Sequence, residues 1–173
     1  LRSMVADPEI PVGRLDVLPP AERDLLIRGL NDTEVPEAVG RTFIELFREQ
    51  VKRSPEKLAV RSETGSLTYA ELDRAAHAVA RRLAQLGVGS GDFVGICLPR
   101  SHMLLIALLG AQMSGAAYVP LDPGFPTDRL GFMLADSGAR ALITMADAAD
   151  GIALPTGLQL LSLDDEVDGS PEQ

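Results

Sequence analysis

The chain has 173 residues (18.4 kDa), 46% hydrophobic and 24% charged, with a mean hydropathy of +0.10, which suffices for a core and excludes a disordered chain. Aromatics make up 4% and Trp is absent, so the core is aliphatic, while a single cysteine, Cys97, excludes an internal disulfide and a multi-cysteine metal site. Net charge is −9, yet all 16 basic residues lie at or before Arg140 and are interleaved with acids, which argues against a nucleic-acid footprint, while seven acids follow and make the end acidic.

Residues 1–41 read as an interdomain leader. Pro8, Pro11, Pro19, Pro20 and Pro36 punctuate an extended segment, and one short helical stretch from about Ala21 to Leu30 carries Leu25, Leu26 and Leu30 as a narrow apolar stripe suited to anchoring on a neighbouring domain. The first residues lack the apolar run of a signal peptide, so nothing there suggests export.

The body opens at Thr42. Thr42-Phe43-Ile44-Glu45 has the form of a capping box, predicting a helix to about Arg53 that stops before Pro55. Leu58 to Arg61 reads as a strand and Thr64-Gly65-Ser66 as a turn. A second capping box, Thr68-Tyr69-Ala70-Glu71, opens a helix with Leu72, Ala76, Val79, Leu83 and Leu86 on one face, ended by Gly87. Phe93 to Leu98 is a strand, Ser101 can cap a helix to about Ser114, and Ala117 to Leu121 is a further strand. Thr127 can cap a helix ending near Gly138, Arg140 to Thr144 is another strand, and the weakly patterned remainder holds one more candidate at Leu158 to Leu163. This alternation predicts an α/β fold with a mainly parallel sheet flanked by helices. Met103 to Leu121 carries no charge and approaches a membrane span in length, but Gln112, Ser114, Gly115 and Pro120 interrupt it, so it reads as a buried helix followed by a buried strand.

The residues that carry chemistry elsewhere have structural readings here. Gly87-Val88-Gly89-Ser90-Gly91-Asp92 follows a helix and precedes a strand, the reverse of a dinucleotide fingerprint, and no Gly-Lys-Ser or Gly-Lys-Thr loop occurs. His77 and His102 have no metal ligands at the required spacing, no Gly-x-Ser-x-Gly elbow exposes a nucleophile, and Cys97 sits in an apolar strand as an inert thiol. Asp164-Asp165-Glu166 lacks the spaced carbonyl ligands of a calcium loop. No residue is therefore nominated as catalytic, cofactor-binding or metal-binding.

Two segments add a resemblance. Leu67-Thr68-Tyr69-Ala70-Glu71-Leu72 resembles the first core motif of the adenylation domains of nonribosomal peptide synthetases, and Gly115-Ala116-Ala117-Tyr118-Val119-Pro120-Leu121-Asp122-Pro123 the second. Ser54 to Val60, Phe125 to Leu130 and Asp136 to Ala139 fit the same pattern, and the leader, with Leu18 to Arg23 and Asn31-Asp32-Thr33, resembles the linker joining a condensation domain to an adenylation domain. Gln112-Met113-Ser114 departs from it, standing where the family usually has leucine, lysine and alanine.

The resemblance implies a division into a linker over 1–41 and the N-terminal portion of an adenylation domain over 42–173. Such domains activate an amino acid with ATP and Mg, then load it onto the phosphopantetheine arm of a carrier domain. Their phosphate loop, amino-acid pocket and catalytic lysine belong to later parts of the family pattern, so this stretch alone is expected to be inactive and to expose apolar surface that the rest of the lobe covers. The expected partners are a condensation domain, the remainder of the adenylation domain and a carrier domain, in the cytoplasm. Two other readings stand beside this one: a fragment of an acyl-CoA or aryl-acid ligase, and a non-catalytic docking or scaffold piece.

Overall fold

A computed structural model describes residues 4–5, 7–15, 18–33 and 40–163. The chain divides into two compact units, Leu1–Arg41 and Thr42–Gln173. In the first, helix α1 (Pro20–Ile27) starts on a proline, whose fixed φ and missing N–H suit a first turn. A 3-10 turn, Gly29–Asn31, follows it, and the Asn31 amide donates to the carbonyls of Leu26 (3.1 Å) and Ile27 (3.0 Å), satisfying the helix end. Leu25, Leu26 and Leu30, the predicted stripe, are all exposed.

The second unit begins with α2 (Phe43–Arg53), whose Thr42–Glu45 capping box is formed as predicted. Next come β1 (Leu58–Ser62) and β2 (Gly65–Thr68), an antiparallel hairpin. The second strand is an addition to the sequence reading, which had only a turn there. Helix α3 (Tyr69–Gln85) starts on the second capping box, where the Glu71 N–H donates to Thr68 Oγ1 (3.3 Å) and the Thr68 N–H to Glu71 Oε2 (2.7 Å). The Thr68 N–H, and after it the Thr68 hydroxyl, which donates to Glu71 Oε2 (2.9 Å), hold the Glu71 carboxyl below the usual carboxylate range.

Strand and helix then alternate: β3 (Phe93–Cys97), α4 (His102–Met113), β4 (Ala117–Leu121), α5 (Thr127–Ser137), β5 (Ala141–Thr144) and β6 (Gln159–Ser162). The four strands form one parallel sheet in the order β4-β3-β5-β6. The side chains alternate across it. Val94, Ile96, Ala141, Ile143 and Leu161 pack with α2, α3 and α4, whereas Cys97, Leu121 and Leu142 pack with Leu130, Leu134 and Ile152 on the other face.

Close approach is built into each interface by one glycine. A Cβ on Gly110 of α4 would stand 2.6 Å from Val79 Cβ of α3, and one on Gly95 of β3 would stand 2.6 Å from Leu134 Cδ2 of α5. Gly87 (φ +72°) and Gly138 (φ +64°) take the left-handed conformation that ends α3 and α5.

Three expectations need correction. Ser101 stands at the cap of α4 but its side chain makes no capping bond; its hydroxyl is turned to the Pro99 carbonyl, to which it donates (3.3 Å). Thr127 is the first helical residue of α5 and Pro126 the cap, since proline's φ already suits the turn and leaves no hydroxyl to accept. Finally, β4 is an edge strand, not a buried one. The Ala117 N–H donates to the Asp92 carbonyl (2.9 Å), so in a parallel ladder residues 117, 119 and 121 turn their amides to β3 and residues 118 and 120 turn outward. Pro120 thus stands where an outward N–H would otherwise lie.

Candidate functional site

Strand order reverses at β3. The chain runs from β3 to its neighbour β4 on one side, then crosses back to β5 on the other, and open parallel sheets hold ligands beyond the carboxyl ends of strands at such a switch point. Here that point is tied shut. Thr144, only 2% exposed, donates from Oγ1 to the Cys97 carbonyl (3.1 Å), and its own carbonyl accepts from the Leu163 N–H (3.1 Å). Cys97 is buried and free, and burial, with the Asp122 carboxylate second, pushes its thiol up, which keeps it unreactive.

The surrounding polar groups are committed to turns. Asp122 Oδ1 accepts from the Gly124 N–H (2.9 Å), and Arg129 lies 4.0 Å over the Phe125 ring. Asp92 accepts from the Gly89 N–H (2.9 Å) and from Arg140 (3.2 Å), which hold its carboxyl below the usual range, the amide contributing most. The glycine-rich run is therefore a clamped connection between α3 and β3.

The two histidines are also structural. His77 Nδ1 lies 2.8 Å from the Asp73 carbonyl within α3. His102, at the start of α4, brings Nδ1 within 3.0 Å of Ser62 Oγ and 3.2 Å of Thr64 Oγ1, joining the hairpin turn to the helix. Nothing in the sequence signalled this cluster, because about forty residues separate its members. Among the described residues no group of three His, Cys, Asp or Glu side chains could hold a metal ion. Asp164-Asp165-Glu166 lies outside them.

Both resembling segments have clear structural work. Thr68 and Glu71 cap α3, Leu72 is buried, and the Tyr69 ring packs on Phe47 with centroids 6.1 Å apart. Residues 117–121 form β4, and the Phe125 N–H closes the following turn on the Asp122 carbonyl (2.9 Å). Tyr69, Leu72 and Tyr118 also line an open groove of about 650 Å³ between α2, α3 and α4, with Phe43, Leu105 and Leu108. The sequence held one clue to it: α4 carries no Asp, Glu, Lys or Arg on any face.

A family model described as AMP-binding enzyme matches residues 47–170. The chain belongs to that family. Two of its relatives are tyrocidine synthase 3 of Brevibacillus parabrevis, 41% identical over 144 residues, and malpibaldin synthetase of Mortierella alpina, 40% over 164. These matches cover 83% and 95% of this chain but only 2% and 3% of those proteins. The structure of the nonribosomal peptide synthetase FmoA3 in its α-methyl-L-serine-AMP-bound form superposes with a TM-score of 0.73 at 31% identity, over 82% of this chain and 16% of that one. Among the described residues no helix is long and apolar enough to cross a membrane.

Proposed function

We propose that residues 42–173 are the N-terminal portion of the amino-acid-activating lobe of a nonribosomal peptide synthetase, and residues 1–41 the linker that joins it to a condensation domain. The observation that carries this is the superposition on FmoA3 over 82% of the chain at 31% identity, with the first resembling segment capping α3 and the second forming β4. The parent reaction joins an amino-acid carboxylate to the α-phosphorus of ATP, releasing pyrophosphate, and passes the acyl group to a thiol on a carrier domain in the cytoplasm.

The described residues do not by themselves fit a magnesium triphosphate. Their acids are not clustered for a cation, and their glycine-rich run ends a helix rather than opening one. No step of the parent reaction runs through them; they position the sheet on which later residues would act. A structure of Klebsiella oxytoca NpsA in complex with 3-hydroxyanthranilyl-AMSN, 30% identical with a TM-score of 0.60, supports an aryl acid as the second reading of the substrate.

ATP-pyrophosphate exchange tests this reading, measured on the chain alone and with the remainder of an adenylation domain supplied in trans. Silence alone and exchange on complementation are expected. Exchange by the chain alone, or silence in both, would overturn it, the last favouring a scaffold role.

A further inference from the structure

We propose that His102 is the latch of the β1–β2 hairpin and that it works as a donor: the neutral ring carries its hydrogen on Nδ1, and that hydrogen holds the hairpin tip on α4. The starting observation is the turn. Glu63 and Thr64 form a two-residue loop between the paired residues Ser62 and Gly65. Loops of this length match the twist of their strands when the central residues take positive φ, and among the described residues only glycines do so. The hairpin is also a sheet of two strands only, which is marginal without support. Its tip therefore depends on a tie from outside.

His102, the first residue of α4, supplies that tie. Among the described residues it accounts for every hydrogen bond that joins residues 62–66 to the chain outside the hairpin. The ring also lies against Gly65, where an added Cβ would stand 3.4 Å from Cε1, so ring and backbone meet with no side chain between them. What the latch holds is β2, and β2 runs without a break into the capping box of α3. His102 is thus a positioning residue for the first resembling segment.

The supply of hydrogens sets the direction. Ser62 Oγ lies 3.1 Å from the Gly65 carbonyl, 3.1 Å from Thr64 Oγ1 and 3.0 Å from His102 Nδ1, and Thr64 Oγ1 lies 3.2 Å from the same Nδ1. A carbonyl only accepts, so the single Ser62 hydrogen goes to Gly65. Wherever the Thr64 hydrogen then points, a lone pair on Nδ1 would leave the Ser62–ring contact without a hydrogen, two lone pairs facing each other at 3.0 Å. A hydrogen on Nδ1, shared between the two hydroxyl oxygens, lets Thr64 donate to Ser62 and bonds all four contacts. The lone pair of the neutral ring then lies on Nε2, the reverse of the tautomer that free histidine prefers.

The test is made on the full chain. With isotopically labelled histidine in mildly alkaline buffer, where histidine is ordinarily neutral, long-range proton–nitrogen NMR correlation should place the His102 hydrogen on Nδ1, the signal being assigned by its loss in His102→Asn. Asparagine puts an amide donor where Nδ1 stands. Amide hydrogen exchange across residues 62–66 should therefore stay within roughly threefold of the parent in His102→Asn and rise by roughly tenfold in His102→Leu, the effect of about one hydrogen bond. Slow exchange at Val79 and Leu83, buried in α3, marks an intact fold. Should His102→Leu lose that mark, Ser62→Ala with Thr64→Val, which removes both acceptors and leaves α4 untouched, takes its place with the same rise expected. A hydrogen on Nε2 of the neutral ring would overturn the proposal. So would equal exchange in the Asn and Leu variants, fast or slow, or no rise in the double variant.

Discussion

The Thr144 hydroxyl of β5 donates to the Cys97 carbonyl of the neighbouring strand β3, 3.1 Å away, and so ties the carboxyl ends of β3 and β5 where the strand order reverses. A buried acceptor deprived of this donor keeps its desolvation cost. Thr144→Val, which preserves shape and removes the hydroxyl, should lower stability by about 1–3 kcal/mol in urea unfolding, and Thr144→Ser should recover most of that. Equal losses for both would mean that packing, not the bond, matters there.

Asp92 gives a pH-dependent prediction. The Gly89 amide and then Arg140 depress its carboxyl in the folded state below the ordinary value of about 3.9. The stabilisation is therefore complete above the unfolded value and is lost as pH falls through the folded one. Asp92→Asn should have a lower urea midpoint than the parent at pH 7, with the gap closing below about pH 4. A gap that stays constant from pH 7 to 2.5 would refute the linkage.

Gly110 separates helix propensity from packing. Alanine there would gain about 1 kcal/mol of propensity, but its Cβ would meet Val79 at 2.6 Å and the Ala76 carbonyl at 3.0 Å. Overpacking of this kind costs about 1–3 kcal/mol, so Gly110→Ala should be neutral to destabilising, and Gly110→Ala with Val79→Ala should show positive coupling in a double-mutant cycle. Simple additivity would count against a close α3–α4 contact.

The leader can be tested apart from the rest. With Leu25 and Leu26 exposed, replacing both by Asp should leave the unfolding of residues 42–173 unchanged while abolishing association with a condensation domain. Binding that survives the pair would remove the linker assignment.

Local grammar was legible, and long-range pairing was not. Both capping boxes were readable because Thr and Glu sit three apart and satisfy each other's neighbouring amides. The parallel sheet was readable from alternation alone. Strand β2 was missed because its residues Gly65 and Ser66 carry turn propensity, and only pairing with β1 makes them extended. The exposure of β4 was missed because hydropathy reports apolar content and not position in the sheet; Tyr118 and Val119 look alike in sequence, yet one lines the groove and the other packs beneath the sheet. The groove itself arises from three helices, so no single segment announced it.

The strand order has one more consequence. β4 pairs with β3, β5 with β3, and β6 with β5, so each strand finds its neighbour earlier in the chain. A polypeptide leaving the ribosome can thus extend this sheet one strand at a time, with no gap held open for a partner still to be synthesised.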